Sequence, residues 1–222
     1  LTGEAIAGRR HEVFLVSKVL PSNASYEATL KACERSLKRL RTDYLDLYLL
    51  HWRGSYPLAE TMRAMEALVA AGKIRYLGVS NFDLADVKEA ERALAKERLA
   101  ANQVLYHMRD RGIERKLIPY CAERGIAVVA YSPYGHGDFP SGNDRDGRAL
   151  AEISGRSGKT ARQVILNFLT QHPAVFTIPK SSKTAHVQEN AGGCGWTLGP
   201  ADAAAVDRLF PAPTRDTPLG ML

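Results

Sequence analysis

Short, nearly continuous apolar runs alternate with segments whose apolar side chains recur at helical spacing, and this rhythm persists from one end of the chain to the other. The runs predict strands over residues 13–18, 44–52, 74–82, 101–107, 127–133 and 175–181. Their lack of polar alternation is the pattern of parallel strands covered on both faces. Between them the periodicity predicts helices over 26–40, 57–71, 84–96, 113–124 and 160–172, with shorter ones at 185–191 and 202–210 before the Pro211-Ala212-Pro213 break. Local chemistry supports the boundaries. Asp83 can cap a helix, Gly72 and Gly125 stand where left-handed C-terminal residues belong, and Pro57 suits a first turn. Residues 136–147, rich in Gly, Asp and Ser, predict a long loop. Leu1, Ala5 and Ile6 look like the end of a helix closing at Gly8, so further chain is expected upstream.

Repeated βα units give an α/β fold, either a doubly wound sheet or part of a (β/α)8 TIM barrel. The placement of unusual polar residues favours the barrel. Lys18, His51, Ser80, Asn81, His107, Tyr131, Ser132, Lys180 and Ser181 all stand at the C-terminal ends of the runs, and in a barrel those ends open on one face. An open sheet would spread them along an edge. A barrel has eight strands and typically about 250 residues. With six strands predicted, residues 1–222 are expected to form a single, N-terminally truncated barrel domain holding strands 3–8, the first two βα units being absent. Six strands alone would leave two apolar edges unpaired.

Composition changes this picture little. The chain is 45% apolar and 24% charged over 222 residues, enough to bury a core without disulfides or a structural metal. Cys33, Cys121 and Cys194 are odd in number and widely spaced, which argues against a disulfide framework and against zinc. A reducing, cytoplasmic location is expected. The net charge of +6 comes from Lys and Arg interspersed with acids along helices, the pattern of a solvated face and not of a nucleic-acid surface. No apolar run approaches the length of a membrane span.

Lys18 would be costly to desolvate at a barrel mouth without a role. Held there as a cation it can lower the pKa of a neighbouring acid and make a tyrosine a usable proton donor; read alone, it is equally a lysine snorkelling at a strand end. His51 closes the run Leu47-Tyr48-Leu49-Leu50, where an imidazole N–H could orient a carbonyl. The bland alternative is a core histidine. On consecutive strands the two would be neighbours, which favours the functional reading.

Val16-Ser17-Lys18, Leu49-Leu50-His51-Trp52, Gly78-Val79-Ser80-Asn81-Phe82, Asn102-Gln103, Ala130-Tyr131-Ser132-Pro133, Ile178-Pro179-Lys180-Ser181 and Glu189-Asn190 together resemble the motifs of the aldo-keto reductase family, in the family's order. The resemblance implies reduction of a small aldehyde or ketone by hydride from NADP(H), with a tyrosine proton donor assisted by a lysine and an aspartate. Lys18 matches that lysine and His51 the substrate-orienting histidine, whereas the tyrosine and aspartate would precede Leu1. By the same resemblance Ser80, Asn81 and Gln103 hold the nicotinamide carboxamide and Tyr131 stacks on the ring. Ser132, Tyr134 and Gly135 begin a loop over the pyrophosphate. Lys180, Ser181 and Ser182 meet the 2′-phosphate, and Glu189 and Asn190 contact adenine. His186 stands where many relatives place an arginine, which implies a weaker preference for NADP over NAD unless Lys183 compensates.

No GxGxxG or Walker A string is present. Residues 102–107, 131–139 and 210–213 resemble a bacterial branch that reduces methylglyoxal and related dicarbonyls, with Trp52 and the tail beyond Pro213 as candidate pocket walls. A monomer acting on a small carbonyl substrate is expected, with no nucleic-acid or membrane partner. Two other functions fit the same residues. One is a nicotinamide-binding regulatory or partner protein without turnover, and the other is a lyase barrel in which Lys18 forms a Schiff base.

Overall fold

All six apolar runs become strands in the computed structural model, which describes residues 1–222. The chain divides into two compact units, Leu1–Gln103 and Val104–Leu222, with the boundary inside the fourth strand. In order, the first unit holds α1 (Thr2–Ala5), β1 (Val16–Val19), α2 (Tyr26–Leu40), β2 (Leu45–Leu50), α3 (Leu58–Ala70), β3 (Ile74–Ser80), α4 (Leu84–Ala93) and the start of β4 (Leu99–Leu105). Its four strands lie side by side in sequence order and all pairs are parallel. The second unit continues with α5 (Leu117–Arg124), β5 (Ala127–Tyr131), α6 (Arg145–Ser157), α7 (Ala161–Leu169), β6 (Val175–Thr177), α8 (Thr184–Ala191) and α9 (Pro200–Leu209). There β5 and β6 pair in parallel, with Val128 opposite Val175 and Ala130 opposite Thr177.

Five of the six strands are shorter than the apolar runs, for local reasons, while β4 is as long as its run and begins two residues earlier. Asn81 (φ 58°) and Ser132 (φ 51°) adopt left-handed backbone directly after β3 and β5, which ends the ladder and turns the chain. Past β6 the segment meets Pro179, which has no N–H to give. Coverage on both faces holds for β2, every residue of which is buried. It fails at β1 and β6, where Val16 and Phe176 are exposed, as is Phe14 just before β1, stacked on Tyr76 at 6.3 Å.

Helix ends follow the expected chemistry where capping residues were recognised. Asp83 accepts from the Asp86 amide at 2.9 Å, and Gly72 and Gly125 have φ near +70°. The helix expected over 84–96 stops at Ala93, because the Glu66 carboxylate accepts the amides of Ala95, Lys96 and Glu97 and holds them as a loop. The helix expected over 113–124 is divided into a short 3-10 turn, Gly112–Glu114, and α5. Helix α6 was not foreseen at all. Asp144 caps it through the Gly147 amide at 2.7 Å and Leu150 and Ile153 bury its inner face, but a start rich in Gly and Asp reads as loop.

At the N-terminal end of β2, Asp46 is 2% exposed. It accepts from the Leu15 amide (2.8 Å), Arg10 (2.8 Å) and Arg75 (3.0 Å). The two guanidinium carbons also lie 3.8 and 4.3 Å from the centre of the Tyr44 ring. Removing one partner of a buried pair strands the other. Asp46→Ala is therefore expected to destabilise the chain by on the order of 3 kcal/mol, read from urea unfolding, with Asp46→Asn costing less because it keeps an acceptor for the Leu15 amide.

Candidate active site

Parallel pairing sets Lys18 opposite Leu49, Leu49 opposite Gly78 and Gly78 opposite Ala101. Partner residues in a sheet share a face, and so do residues two apart along a strand. Lys18 therefore lies on the same face as His51, Ser80 and Gln103, each two residues beyond its strand's member of that row. The row leaves room for them. A Cβ on Gly78 would lie 2.6 Å from both the Ala101 carbonyl oxygen and Leu49 Cδ2, so a side chain there would force the strands apart. The register shift between Leu77 and Gly78 falls at the same place.

Hydrogen bonds fix the rim of this face. Ser80 Oγ donates to the Gln103 carbonyl at 2.8 Å, and the Asn81 amide donates to the same oxygen at 2.8 Å. Asn81 Nδ2 donates to the His51 carbonyl at 3.1 Å, tying the end of β3 to the end of β2. The left-handed backbone that makes this reach possible is one Asn tolerates better than most residues. Asn102 belongs to the opposite face, where its Nδ2 donates to the Phe82 carbonyl at 2.8 Å. Of the Asn102-Gln103 pair, only Gln103 is at the candidate site.

Lys18 is half-buried and makes no ion pair within the chain. Desolvation lowers its pKa. The His51 pKa is also lowered, first by desolvation and then by the nearby Lys18 cation, so the imidazole is neutral at pH 7 and keeps one N–H to donate. Trp52 lies against the His51 ring at 4.6 Å, tilted by 54°.

In the second unit, Tyr131 ends β5 with its ring half-buried, and its hydroxyl accepts from the Leu222 amide at 3.4 Å. Burial raises its pKa, so it is a neutral ring. The chain then turns, the Gly135 amide donating to the Ser132 carbonyl at 2.9 Å with Gly135 at φ 71°. Tyr134 donates to Asn190 Oδ1 at 2.6 Å, which joins this loop to α8. The neighbouring Glu189 is held through its carbonyl by Gln163 Nε2 at 2.9 Å. Beyond β6, Lys180 and Ser182 are exposed, as is His186 on α8, while Ser181 accepts from the Lys183 amide at 3.1 Å. Tyr134, Glu189 and Asn190 are thus brought together. His186, one turn earlier on α8, is exposed.

Comparison with known proteins decides the family. The Aldo/keto reductase family profile matches residues 1–210. Methylglyoxal reductase YeaE of Escherichia coli (strain K12) is 46% identical over 226 residues, covering 100% of this chain and 78% of that protein. Glyoxal reductase of Bacillus subtilis (strain 168) is 40% identical, covering 90% and 69%. An aldo/keto reductase from Klebsiella pneumoniae, solved in complex with NADP and acetate, matches with a TM-score of 0.91 at 45% identity over 100% of this chain and 78% of that one. A second Klebsiella pneumoniae structure, in complex with NADPH, gives 0.92 at 46%.

The chain belongs to the aldo/keto reductase family. Its six parallel strands are accordingly those of a (β/α)8 barrel, which has eight.

Sequence reasoning missed two contributors near the strand ends of this family member. Arg162, on α7, lies over the rings of Tyr134 and Phe139 at 4.7 and 4.5 Å; in an amphipathic helix it reads as one more solvated charge. The tail contact to Tyr131 had no sequence signal, although the segment beyond Pro213 was singled out as a pocket wall. No three acidic, Cys or His residues cluster as metal ligands, and no helix is long and apolar enough to cross a membrane.

The depressed His51 pKa has a definite sign. An unfolded histidine takes up a proton as pH falls through its ordinary range while folded His51 resists, so acidification through that range costs stability. NMR titration is expected to place the His51 midpoint below that of histidine in an unstructured peptide, and Lys18→Met is expected to move it upward. A midpoint unaltered by Lys18→Met would show that the two groups do not interact.

Proposed function

We propose that this chain binds NADP(H) and presents small carbonyl compounds, dicarbonyls such as methylglyoxal among them, for reduction. The observation that carries the proposal is the common face of Lys18, His51, Ser80 and Gln103, in a chain whose relatives include a methylglyoxal reductase and a glyoxal reductase. The residues fit the cofactor. Amide and hydroxyl groups at the ends of β3 and β4 match a carboxamide, Tyr131 offers a flat neutral ring, and Lys180 and Lys183 are exposed cations outside any ion pair of the chain.

The cofactor supplies the hydride. Asn81 and Gln103 fix the carboxamide, and thereby which ring face is presented, with Ser80 holding the Gln103 backbone. Tyr131 stacks on the nicotinamide. Ser132, Tyr134 and Gly135 border the pyrophosphate, and Glu189 and Asn190 take the adenine. Lys180, Ser181 and Ser182, with His186 beside them, meet the 2′-phosphate; a lysine ammonium is a compact point charge for such a dianion. His51 donates its N–H to the substrate carbonyl oxygen, where negative charge develops. Lys18 keeps a positive field at the rim and favours the ionised form of an acid placed beside it. Trp52 walls the substrate side. Family membership supports this reading of Lys18 over a Schiff-base lyase.

Fluorescence titration is expected to show tighter binding of NADPH than of NADH. Lys180→Ala should weaken NADPH by about tenfold, the lower end for a hydrogen bond to a charged group, and leave NADH unchanged. Equal loss for both cofactors would contradict the 2′-phosphate assignment. Methylglyoxal added to the NADPH complex should shift the His51 ring resonances; unmoved resonances would remove His51 from the substrate site.

A further inference from the structure

The cofactor reading leaves Arg162 without a role, yet its placement is specific. Its guanidinium carbon lies 4.7 Å from the Tyr134 ring centroid and 4.5 Å from that of Phe139. The two rings meet edge to face at 5.5 Å and 89°. An exposed arginine with no carboxylate partner and two aromatic faces spends its charge on the ring quadrupoles. The platform beneath it is rigid. Helix α7 opens with a reciprocal capping box between Thr160 and Gln163, and every residue from Val164 to Leu169 is buried. The same first turn sends Gln163 to the Glu189 carbonyl, while Tyr134 reaches Asn190. One turn of α7 therefore contacts both the loop after β5 and the end of α8.

The segment it holds has little rigidity of its own. Residues 134–140 carry glycines at φ 71° (Gly135) and φ 95° (Gly137), and His136, Gly137 and Asp138 between the two rings are exposed. Without a fixed point such a loop opens readily.

We propose that Arg162 is a positioning residue: by clamping Tyr134 and Phe139 it holds the 134–140 loop closed and so sets how fast NADP(H) leaves. This rests on the assignment of Tyr134 and Gly135 to the cofactor. Arg162 acts through the two rings and touches neither the nicotinamide nor the substrate. The clamp stabilises the closed loop, so its loss speeds dissociation and leaves the encounter rate alone.

The test is stopped-flow release of NADPH from the 222-residue chain, paired with hydrogen exchange of amides 135–139 in the cofactor-free chain. Arg162→Ala should release NADPH about tenfold faster, the loss expected for two exposed cation–π contacts, with association unchanged. Arg162→Met should behave like Ala, and Arg162→Lys should restore part of the effect because it restores the charge. Amides 135–139 should exchange faster in Arg162→Ala with the cofactor absent. Wild-type release rates in Arg162→Ala, or equal effects of Lys and Met, would overturn the proposal. Unchanged exchange would overturn the clamp itself. Failure of the wild-type chain to bind NADPH would overturn the cofactor reading and the role in release, while faster exchange in Arg162→Ala would still establish the clamp.

Discussion

Because partners in a parallel ladder keep their side chains on one face, the register linking Lys18, Leu49, Gly78 and Ala101 determines what the ends of β1 to β4 can do. A slip of one residue in any strand would send Lys18, His51, Ser80 or Gln103 to the opposite face. Gly78 enforces the row from within, since any side chain there would strike the neighbouring strand and Leu49. The bonds from Ser80 and Asn81 to the Gln103 carbonyl lock its upper edge. The chemistry of the rim is thus a consequence of strand packing several ångströms below it.

Charge is handled in opposite ways at the two ends of these strands. Near the start of β2, Asp46 is buried and satisfied by two arginines and a backbone amide. At the far ends Lys18 and His51 are partly desolvated without such partners, and both hold their pKa values below the ordinary range. Satisfied charge fixes structure; desolvated, unsatisfied charge is free to act on a ligand. Arg111, buried and bonded to Glu114, is a second case of satisfied charge.

What could be read from the sequence was what depends on near neighbours in the chain. Apolar runs located all six strands, and the polar residues ending the first three runs include Lys18, His51 and Ser80 of the shared face, whereas Gln103 lies inside its run. Strand ends were overestimated wherever backbone conformation decided them, as at Asn81 and Ser132. Helix α6 was missed because Gly142, Asp144 and Gly147 carry loop chemistry while its buried Leu150 and Ile153 are too few to show a period. Gln103 was assigned by resemblance, and the register gives the physical reason its neighbour Asn102 faces the other way. Tyr134 and Asn190 were each assigned by resemblance, but their hydrogen bond joins residues 56 apart. Arg162 had no signal, since a guanidinium stacked on two rings looks in sequence like one left in water.

The most direct test of the rim as the nicotinamide site is a titration of isotope-labelled chain with NADP, following backbone and side-chain amide resonances. The account expects saturable shifts at Asn81, Gln103 and Tyr131, with the resonances around Asp46, at the other end of the strands, unmoved. Saturable binding that leaves Asn81 and Gln103 unmoved would contradict it.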